Sequence, residues 1–187
     1  MSESKIILIT GGSRSGKSTF AEGLFAAHDD VLYLATATRS DGEMAERIAR
    51  HRARRNPHWD THEGFTGLGE VVRAAGQTHV LLDCCTLWFT NLLFSSAGVD
   101  MEGDNITGGT LDQALAVVTG EVQALFAAAR ETGKTLLLVT NEVGWGLVSE
   151  YPLGRLFADL TGIANQRMAA AADEVFLVAC GLPLRLK

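Results

Sequence analysis

The chain has 187 residues, of which 47% are apolar, and it carries a formal net charge of −6 at pH 7. That length suits a single domain spanning residues 1–187 with a core of ordinary size. The negative charge argues against a surface built to bind nucleic acid. No apolar run approaches the roughly 20 residues of a membrane span, and the N-terminus has no signal-peptide profile, so we expect a cytoplasmic protein.

The number and spacing of the cysteines are consistent with a cytoplasmic protein. They are Cys84, Cys85 and Cys180, and their spacing does not match a metal-binding pattern. Cysteines adjacent in sequence rarely pair with each other, so the sequence predicts reduced thiols inside the core of a cytoplasmic protein.

Short apolar runs alternate with segments of helical length along the chain. Most runs lack a period-two alternation, as expected for strands covered on both faces. Leu111–Glu131 and Leu153–Ala172 are the clearest helical segments, and Ala97–Gly109 is glycine-rich and is predicted to be a long surface loop. The alternation predicts an α/β fold with a mostly parallel sheet flanked by helices. The predicted strands are Lys5–Thr10, Val31–Thr36, His79–Asp83, Thr135–Thr140, Glu174–Ala179 and a possible last one at Leu182–Leu186.

The first predicted strand leads directly into Gly11–Ser18, which reads Gly-Gly-Ser-Arg-Ser-Gly-Lys-Ser. A glycine-rich turn between a strand and a helix lets backbone N–H groups point at phosphate oxygens. Lys17 can reach the β- and γ-phosphates of a nucleotide, and the Ser18 hydroxyl can bind Mg²⁺. A chance match is disfavoured because a strand precedes the turn and a helical segment follows it. The sequence therefore predicts a nucleoside triphosphate site.

A basic segment follows the second predicted strand. Arg47–Arg55 contains five arginines and one histidine and has no acidic residue. At helical spacing, Arg47, His51 and Arg54 share one face. The segment could be a solvated basic helix with an incidental histidine. Alternatively, the arginines hold a polyphosphate and favour an uncharged His51, whose ring nitrogen can then attack phosphorus.

A carboxylate ends the third predicted strand. In phosphate-loop folds, an acidic residue at the tip of a strand beside the loop holds Mg²⁺ directly or through water. Asp83 has that position in the chain order, and we favour this role. The alternative is an ordinary strand-end acid or a cap for the stretch that begins at Thr86.

Two further polar positions leave their roles open. The carboxylate of Glu63 could accept hydrogen bonds from guanine N1–H and N2–H₂, a pair that adenine does not offer, or it could be a surface residue. Asn141 and Glu142 follow the fourth main strand at the edge where open α/β sheets bind ligands. They could contact substrate, or they could cap and turn the chain.

Several segments together resemble one family, in the same order along nearly the whole chain. They are similar to the bifunctional adenosylcobinamide kinase/adenosylcobinamide-phosphate guanylyltransferases of cobalamin biosynthesis. The segments are Gly11–Ser18, Tyr33–Ala37, Glu43–His51 with Arg54, Arg55 and Trp59 after it, Thr140–Gly144 and Ala171–Val175.

This resemblance implies a RecA-like P-loop fold, a homotrimer and two reactions that use Mg²⁺ with GTP or ATP. A nucleoside triphosphate first phosphorylates the aminopropanol hydroxyl of adenosylcobinamide. A histidine then attacks the α-phosphorus of GTP, and the phosphorylated corrinoid takes GMP from it to give adenosylcobinamide-GDP. His51 matches the guanylylated histidine, which favours the catalytic interpretation of the basic segment.

The resemblance also implies the residues of the site. His51 and Lys17 are the expected catalytic residues, and Ser18 and Asp83 are the expected metal ligands. The expected nucleotide-binding residues are Gly11, Gly12, Ser13, Arg14, Ser15, Gly16, Lys17, Ser18, Thr36, Ala37, Arg52, Ala53, Arg54, Arg55, Glu63 and Asp83.

Three other functions remain as alternatives. A monofunctional P-loop small-molecule kinase would share the loop and Asp83 but would give His51 no covalent role. A RecA-like ATPase stimulated by nucleic acid would need a basic surface, whereas the arginines here cluster in one segment of an acidic chain. A nucleotide-binding switch without catalysis leaves the histidine unexplained.

Overall fold

A computed structural model describes residues 4–37, 56–100, 102–103 and 105–187. Its strands form one seven-stranded sheet in the order β3-β2-β4-β5-β1-β6-β7. All neighbouring strands are parallel except β6 and β7, which are antiparallel. The strands are β1 (Lys5–Thr10), β2 (Val31–Ala35), β3 (Asp60–Glu63), β4 (His79–Asp83), β5 (Thr135–Val139), β6 (Glu174–Ala179) and β7 (Leu182–Arg185).

The helices of the described residues lie on both faces of this sheet. They are α1 (Lys17–Leu24), α2 (Leu68–Ala74), α3 (Cys85–Ser95), α4 (Thr110–Glu131) and α5 (Pro152–Ala171), with a short 3-10 turn at Val143–Trp145. The segments predicted as Leu111–Glu131 and Leu153–Ala172 are α4 and α5, so these predictions are confirmed to within one residue at each end. Pro152 occupies the first turn of α5, where its missing N–H has no intrahelical acceptor to lose.

The predicted strands all occur, and one strand was missed. Three predicted strands, those ending at Thr36, Thr140 and Leu186, stop one residue earlier, at Ala35, Val139 and Arg185. The missed strand β3 has the polar sequence Asp-Thr-His-Glu, and within the described part of the chain it pairs with β2 alone, at the sheet edge. An edge strand pairs with a neighbouring strand on one side only. Because most side chains of β3 are exposed, it lacks the apolar run by which the other strands were predicted.

Alternate residues of the strands enter two separate cores. On one face, Ile6 and Leu8 of β1 join a large cluster with residues of α2, α3, α4 and α5. On the other face, Ile7 and Ile9 join a smaller cluster that includes Phe25, just after α1. Burying one such aliphatic side chain stabilises the fold by about 1.5–3 kcal/mol. The strand before the phosphate loop is therefore anchored from both sides.

The prediction for the cysteines is correct for two of the three. Cys85 is fully buried and Cys84 is half-buried, whereas Cys180 is exposed in the turn between β6 and β7. Burial raises the pKa of the Cys85 thiol well above its ordinary value, so this thiol stays protonated at neutral pH. The apolar run of β6 ends at Ala179, one residue before Cys180, and Cys180 therefore belongs to the turn and not to the core.

The loop predicted at Ala97–Gly109 contains no helix or strand among its described residues. It is not wholly superficial, because Ala97 and Val99 are buried against the larger core. In the parts of the chain that the structure describes, no helix combines the length and the apolar character needed to cross a bilayer.

Candidate active site

The turn after β1 has the backbone conformation that only glycine adopts freely. Gly11 has φ of 148° and Gly16 has φ of 102°. A Cβ on Gly11 would lie 2.3 Å from the carbonyl oxygen of Val178, so the loop passes directly against β6. Arg14 also has a positive φ, 58°, at the exposed tip of the turn. The two glycines are required by backbone geometry before any ligand is considered.

Lys17 is folded back over the loop. Its side chain is buried, with the residue only 6% exposed, and Nζ donates to the carbonyl oxygen of Gly12 at 2.5 Å. Helix α1 begins at Lys17, and the first intrahelical bond of this turn runs from Phe20 N to Gly16 O at 2.9 Å. Ser18 is half-buried in the same first turn. The loop thus joins a cation, a hydroxyl and a helix N-terminus, which together attract phosphate.

The turn between β6 and β7 braces the loop from the side. Gly181 N donates to the carbonyl oxygen of Ser15 at 2.8 Å. The Cα of Gly181 is 3.1 Å from where a Cβ on Gly16 would lie. Ser15 Oγ is buried and has no hydrogen-bond partner among the described residues. A buried hydroxyl in this state is unusual in folded proteins, and a bound phosphate oxygen would satisfy it.

Asp83 lies at the same carboxyl edge of the sheet, but it is not beside the phosphate loop. Strand β5 lies between β4 and β1, so the tip of β4 is about 10 Å away across the sheet. Asp83 is half-buried, and Tyr33 Oη donates to its Oδ2 at 3.4 Å. The peptide bond between Asp83 and Cys84 is cis. Asp83 therefore lies at the predicted edge, one strand further from the loop than a direct neighbour would be, and its role in holding Mg²⁺ stays a prediction.

The chain after β5 fills the space between these two strand tips. Thr10 Oγ1, at the end of β1, donates to Glu142 Oε1. Glu142 N donates to the carbonyl oxygen of Gly11 at 3.1 Å. Glu142 is therefore bonded to the strand that carries the phosphate loop and to the first residue of the loop itself.

Asn141 and Thr140 are held by a residue that sequence reasoning missed. Asn165 on α5 accepts from Thr140 Oγ1 at 2.8 Å and donates to the carbonyl oxygen of Asn141 at 3.0 Å. The Asn141 side chain donates to Thr86 Oγ1, at the start of α3, at 2.7 Å. These bonds support the role of positioning the chain. An asparagine on the buried face of an amphipathic helix was the signal that could have identified Asn165.

Thr36 and Ala37 extend β2 at the same edge. Thr36 is 1% exposed, and its Oγ1 donates to the carbonyl oxygen of Cys84 at 3.0 Å. Its own carbonyl oxygen accepts from Asn91 Nδ2 at 2.6 Å. Thr36 thus connects β2 to Cys84, the residue after Asp83, and to Asn91 within α3, and Ala37 is half-buried after it.

Glu63 lies far from the phosphate loop. It is the last residue of β3, at the sheet edge, and is exposed. Three strands separate β3 from β1, which corresponds to about 19 Å between the strand axes. Glu63 therefore cannot contact the same phosphate groups as Lys17, although both lie at the carboxyl edge.

The basic segment falls outside the described residues. His51, Arg52, Ala53, Arg54 and Arg55 belong to residues 38–55. Their assignment as catalytic and nucleotide-binding residues stays a prediction.

The fold and the site define a class of protein. A glycine-rich phosphate loop follows a central parallel strand, and an acidic residue ends a second strand with one further strand inserted between them. This is the arrangement of a RecA-like P-loop nucleoside triphosphatase domain, as the sequence predicted.

Comparison with known proteins identifies the family. Residues 7–186 match the family described as CobU, cobinamide kinase / cobinamide phosphate guanyltransferase, and the chain belongs to this family. The bifunctional adenosylcobalamin biosynthesis protein CobU of Escherichia coli K12 is 44% identical over 184 residues, which cover 97% of this chain and 99% of that protein. CobU of Salmonella typhimurium LT2 is 42% identical with the same coverage. CobP of Pseudomonas aeruginosa PAO1 is 38% identical over 96% of both chains.

Among solved structures, the chain is similar to the KaiC-like protein PH0186 of Pyrococcus horikoshii OT3. It is 14% identical, with a TM-score of 0.45, and the alignment covers 94% of this chain and 71% of that one.

Proposed function

We propose that this protein phosphorylates adenosylcobinamide with a nucleoside triphosphate and then converts the product to adenosylcobinamide-GDP through a guanylylated His51. The observation that carries the proposal is the complete phosphate loop, anchored at the carboxyl edge of the sheet in a chain that matches the family over 7–186. Family membership favours this function over a monofunctional kinase or a nucleic-acid-stimulated ATPase.

The phosphate loop would bind the triphosphate through backbone and side chain together. The backbone N–H groups between Gly12 and Ser18 would donate to phosphate oxygens, and Ser13 and Arg14 form the exposed tip of the loop. Lys17 Nζ, now bonded to Gly12 O, would turn to the β- and γ-phosphates. Ser15 Oγ would donate the hydrogen bond that it lacks within the described residues.

Ser18 and Asp83 are the residues that would hold Mg²⁺. Their hydroxyl and carboxylate oxygens are the hard donors that this ion prefers, and both side chains are half-buried at one edge of the sheet. When bound, Mg²⁺ offsets phosphate charge, which is a large part of what phosphoryl transfer requires of a site. With β5 between the two strands, we propose that Asp83 acts through water.

In the kinase reaction, the aminopropanol hydroxyl oxygen forms a bond to the γ-phosphorus while the bond from that phosphorus to the β–γ bridging oxygen breaks. The hydroxyl proton leaves to solvent or to a nearby base, and the nucleoside diphosphate departs. Lys17 and the loop N–H groups stabilise the charge on the transferred group. We propose GTP or ATP as the donor.

In the guanylyl transfer, a ring nitrogen of His51 forms a bond to the α-phosphorus of GTP and pyrophosphate leaves. A phosphate oxygen of adenosylcobinamide phosphate then attacks the same phosphorus and releases the histidine. We propose that Arg52, Arg54 and Arg55, with the backbone at Ala53, bind the phosphates in this step. Glu63 would accept the two guanine N–H donors, and its distance from the phosphate loop suits a base rather than a phosphate contact.

The remaining features follow the family resemblance. We propose a homotrimer in the cytoplasm, where nucleoside triphosphates are abundant and the thiols described above stay reduced. Sedimentation or light scattering of the untagged chain measures the assembly directly.

Labelled GTP tests the proposed function. Incubated with Mg²⁺ and α-labelled GTP, the protein should retain label through denaturation, whereas γ-labelled GTP should leave none. The bond should be labile in acid and survive alkali, as a phosphorus–nitrogen bond does, and adenosylcobinamide phosphate should discharge it. His51→Ala should lose the label, while His58→Ala and His62→Ala should keep it. Label that persists on His51→Ala would contradict the proposed nucleophile.

A further inference from the structure

Three metal-binding side chains meet at the edge of the sheet opposite the phosphate loop. His28 follows α1, Asp30 immediately precedes β2, and His79 is the first residue of β4. One donor atom from each residue lies within 4.8 Å of the other two. The ring centroids of His28 and His79 are 4.1 Å apart, and His79 Nδ1 is 3.1 Å from Asp30 Oδ1. Two imidazoles and a carboxylate thus converge from two separate parts of the chain.

We propose that His28, Asp30 and His79 form a binding site for a divalent transition metal of the Zn²⁺ type. Zinc binds imidazole nitrogen and carboxylate oxygen at about 2.0–2.2 Å, which puts neighbouring ligand atoms roughly 3.3 Å apart in a tetrahedron. The separation of His79 Nδ1 and Asp30 Oδ1 is already close to this value. Rotation of the His28 side chain closes the remaining distance, and water completes the coordination.

The ligand atoms of this site differ in type from those of the proposed Mg²⁺ site. Mg²⁺ prefers oxygen ligands and keeps most of its water, whereas imidazole nitrogen selects Zn²⁺, Co²⁺, Ni²⁺ or Cu²⁺. Strand β4 joins the two sites, with His79 at its first residue and Asp83 at its last. Five residues of strand span about 13–16 Å, so a metal at His79 does not touch the transferred phosphate.

The surrounding contacts hold the ligands in place. Thr78 donates to Asp30 Oδ2 from both its hydroxyl and its backbone N–H, which leaves Oδ1 directed at His79. The Phe25 ring packs against the edge of the His79 ring at a centroid distance of 5.0 Å. Outer contacts of this kind orient ligands in known metal sites and commonly alter affinity 10–100-fold when removed. The Asp30 side chain is 49% exposed, so an ion can reach the site from solvent.

A bound metal would connect the segment that follows α1 to the N-terminal ends of β2 and β4. Because the ligands come together only in the folded chain, metal binding would stabilise the native state, and the stabilisation would rise with the logarithm of the metal concentration above Kd. The expected role is therefore structural, and the kinase and guanylyl reactions with Mg²⁺ should not require it.

Metal titration of the untagged, chelator-treated full chain tests the site. Co²⁺ should bind one ion per chain with visible absorption typical of nitrogen and oxygen ligands, Zn²⁺ should displace it, and Zn²⁺ should raise the melting temperature. His28→Gln and His79→Gln should each weaken binding at least tenfold. His58→Gln and His62→Gln are the matched controls and should bind as the wild type does.

A double variant His28→Gln/His79→Gln that still binds one Co²⁺ per chain with the same spectrum would overturn the proposal, as would a wild-type chain that binds none. If the histidine variants do not fold, Asp30→Asn keeps the side-chain size and the Thr78 bonds, and it should weaken Zn²⁺ binding by a similar factor. Kinase turnover with Mg²⁺ should be unchanged in His28→Gln, which distinguishes failure of this site from failure of the proposed function.

Discussion

At the scale of single residues, the site contains two charged side chains of opposite sign at different strand ends. Lys17 provides a buried cation that donates to a loop carbonyl oxygen. Asp83 provides a half-buried anion two strands away. Both charges lie at this edge before any ligand arrives, and the Lys17 side chain would turn from the Gly12 carbonyl oxygen to the phosphates when the nucleotide binds.

Lys17→Ala should abolish both reactions, because each needs the charge of the triphosphate offset. Loss of one preorganised cation of this kind costs about 10²–10³ in turnover. Each half-reaction is measured separately, the first by phosphorylation of cobinamide and the second by label from α-labelled GTP. Lys5→Ala is the control, since Lys5 pairs with Glu174 on the surface, and its activity should be normal. Near-normal turnover of a folded Lys17→Ala in either reaction would contradict a single shared phosphate site.

Asp83→Asn should lower activity and raise the Mg²⁺ concentration needed for half-maximal turnover. The change keeps the size of the side chain and an acceptor for Tyr33, and it removes only the negative charge. Tyr33→Phe is the matched control because it removes the 3.4 Å hydrogen bond and keeps the charge. An Mg²⁺ titration of Asp83→Asn that coincides with the wild type would return Asp83 to the role of a strand-end acid.

At the scale of elements, the loop depends on its neighbours as much as on its own sequence. β6 lies against Gly11, the β6–β7 turn contacts Ser15 and Gly16, and the segment after β5 is bonded to Gly11. Asn165 on α5 holds that segment in turn. The carboxyl edge of the sheet at the phosphate loop is therefore formed by turns that contact and hydrogen-bond one another.

Gly11→Ala should destabilise the protein, and Gly12→Ala should not. A Cβ on Gly11 would meet the Val178 carbonyl oxygen at 2.3 Å, and its φ of 148° is unfavourable for alanine. The backbone conformation alone costs about 1–3 kcal/mol. Among the residues that the structure describes, none has an atom within 4 Å of a Cβ on Gly12 beyond its chain neighbours, which makes that substitution the matched control for folding. Urea unfolding measures both variants, and equal midpoints would contradict the close packing of loop and β6.

At the scale of the whole molecule, one carboxylate joins elements that are far apart in the chain. Asp173 lies between α5 and β6, accepts from Ile6 N of β1 at 2.7 Å and accepts from Arg130 of α4 at 2.8 Å. The Arg130 hydrogen bond is the main reason that the pKa of Asp173 is below its ordinary value of 3.8, and the bond from Ile6 adds to it.

Asp173→Asn should therefore reduce stability at neutral pH and change its acid dependence. A carboxylate whose pKa is lowered by folding stabilises the native state above its unfolded pKa, and this contribution disappears as pH falls through the folded value. The side chain is 40% exposed, so solvent screening limits the expected loss to about 1 kcal/mol. Urea unfolding at pH 7 and near pH 3 should show a difference between wild type and variant that shrinks in acid. The exposed Glu150→Gln is the control, and a difference that stays constant with pH would contradict the prediction.

Local sequence patterns were enough to predict several elements of this protein. Each of these elements has a signal within about 20 residues. The buried strands have apolar runs, α4 and α5 have helical periodicity, and the phosphate loop has its glycine-rich motif. The polar edge strand β3 could not, because nothing in Asp-Thr-His-Glu distinguishes a strand from a loop until β2 pairs with it.

Which residues of the site are neighbours in space could be read only from the folded chain. Three features join residues from distant parts of the chain. They are the position of β5 between the phosphate loop and Asp83, the hydrogen bonds of Asn165 to the segment after β5, and the contact of His28 with His79. Strand order and helix docking bring such residues together, and they arise from the packing of the whole sheet. No local pattern encodes them, because the free energy that selects them belongs to the complete core.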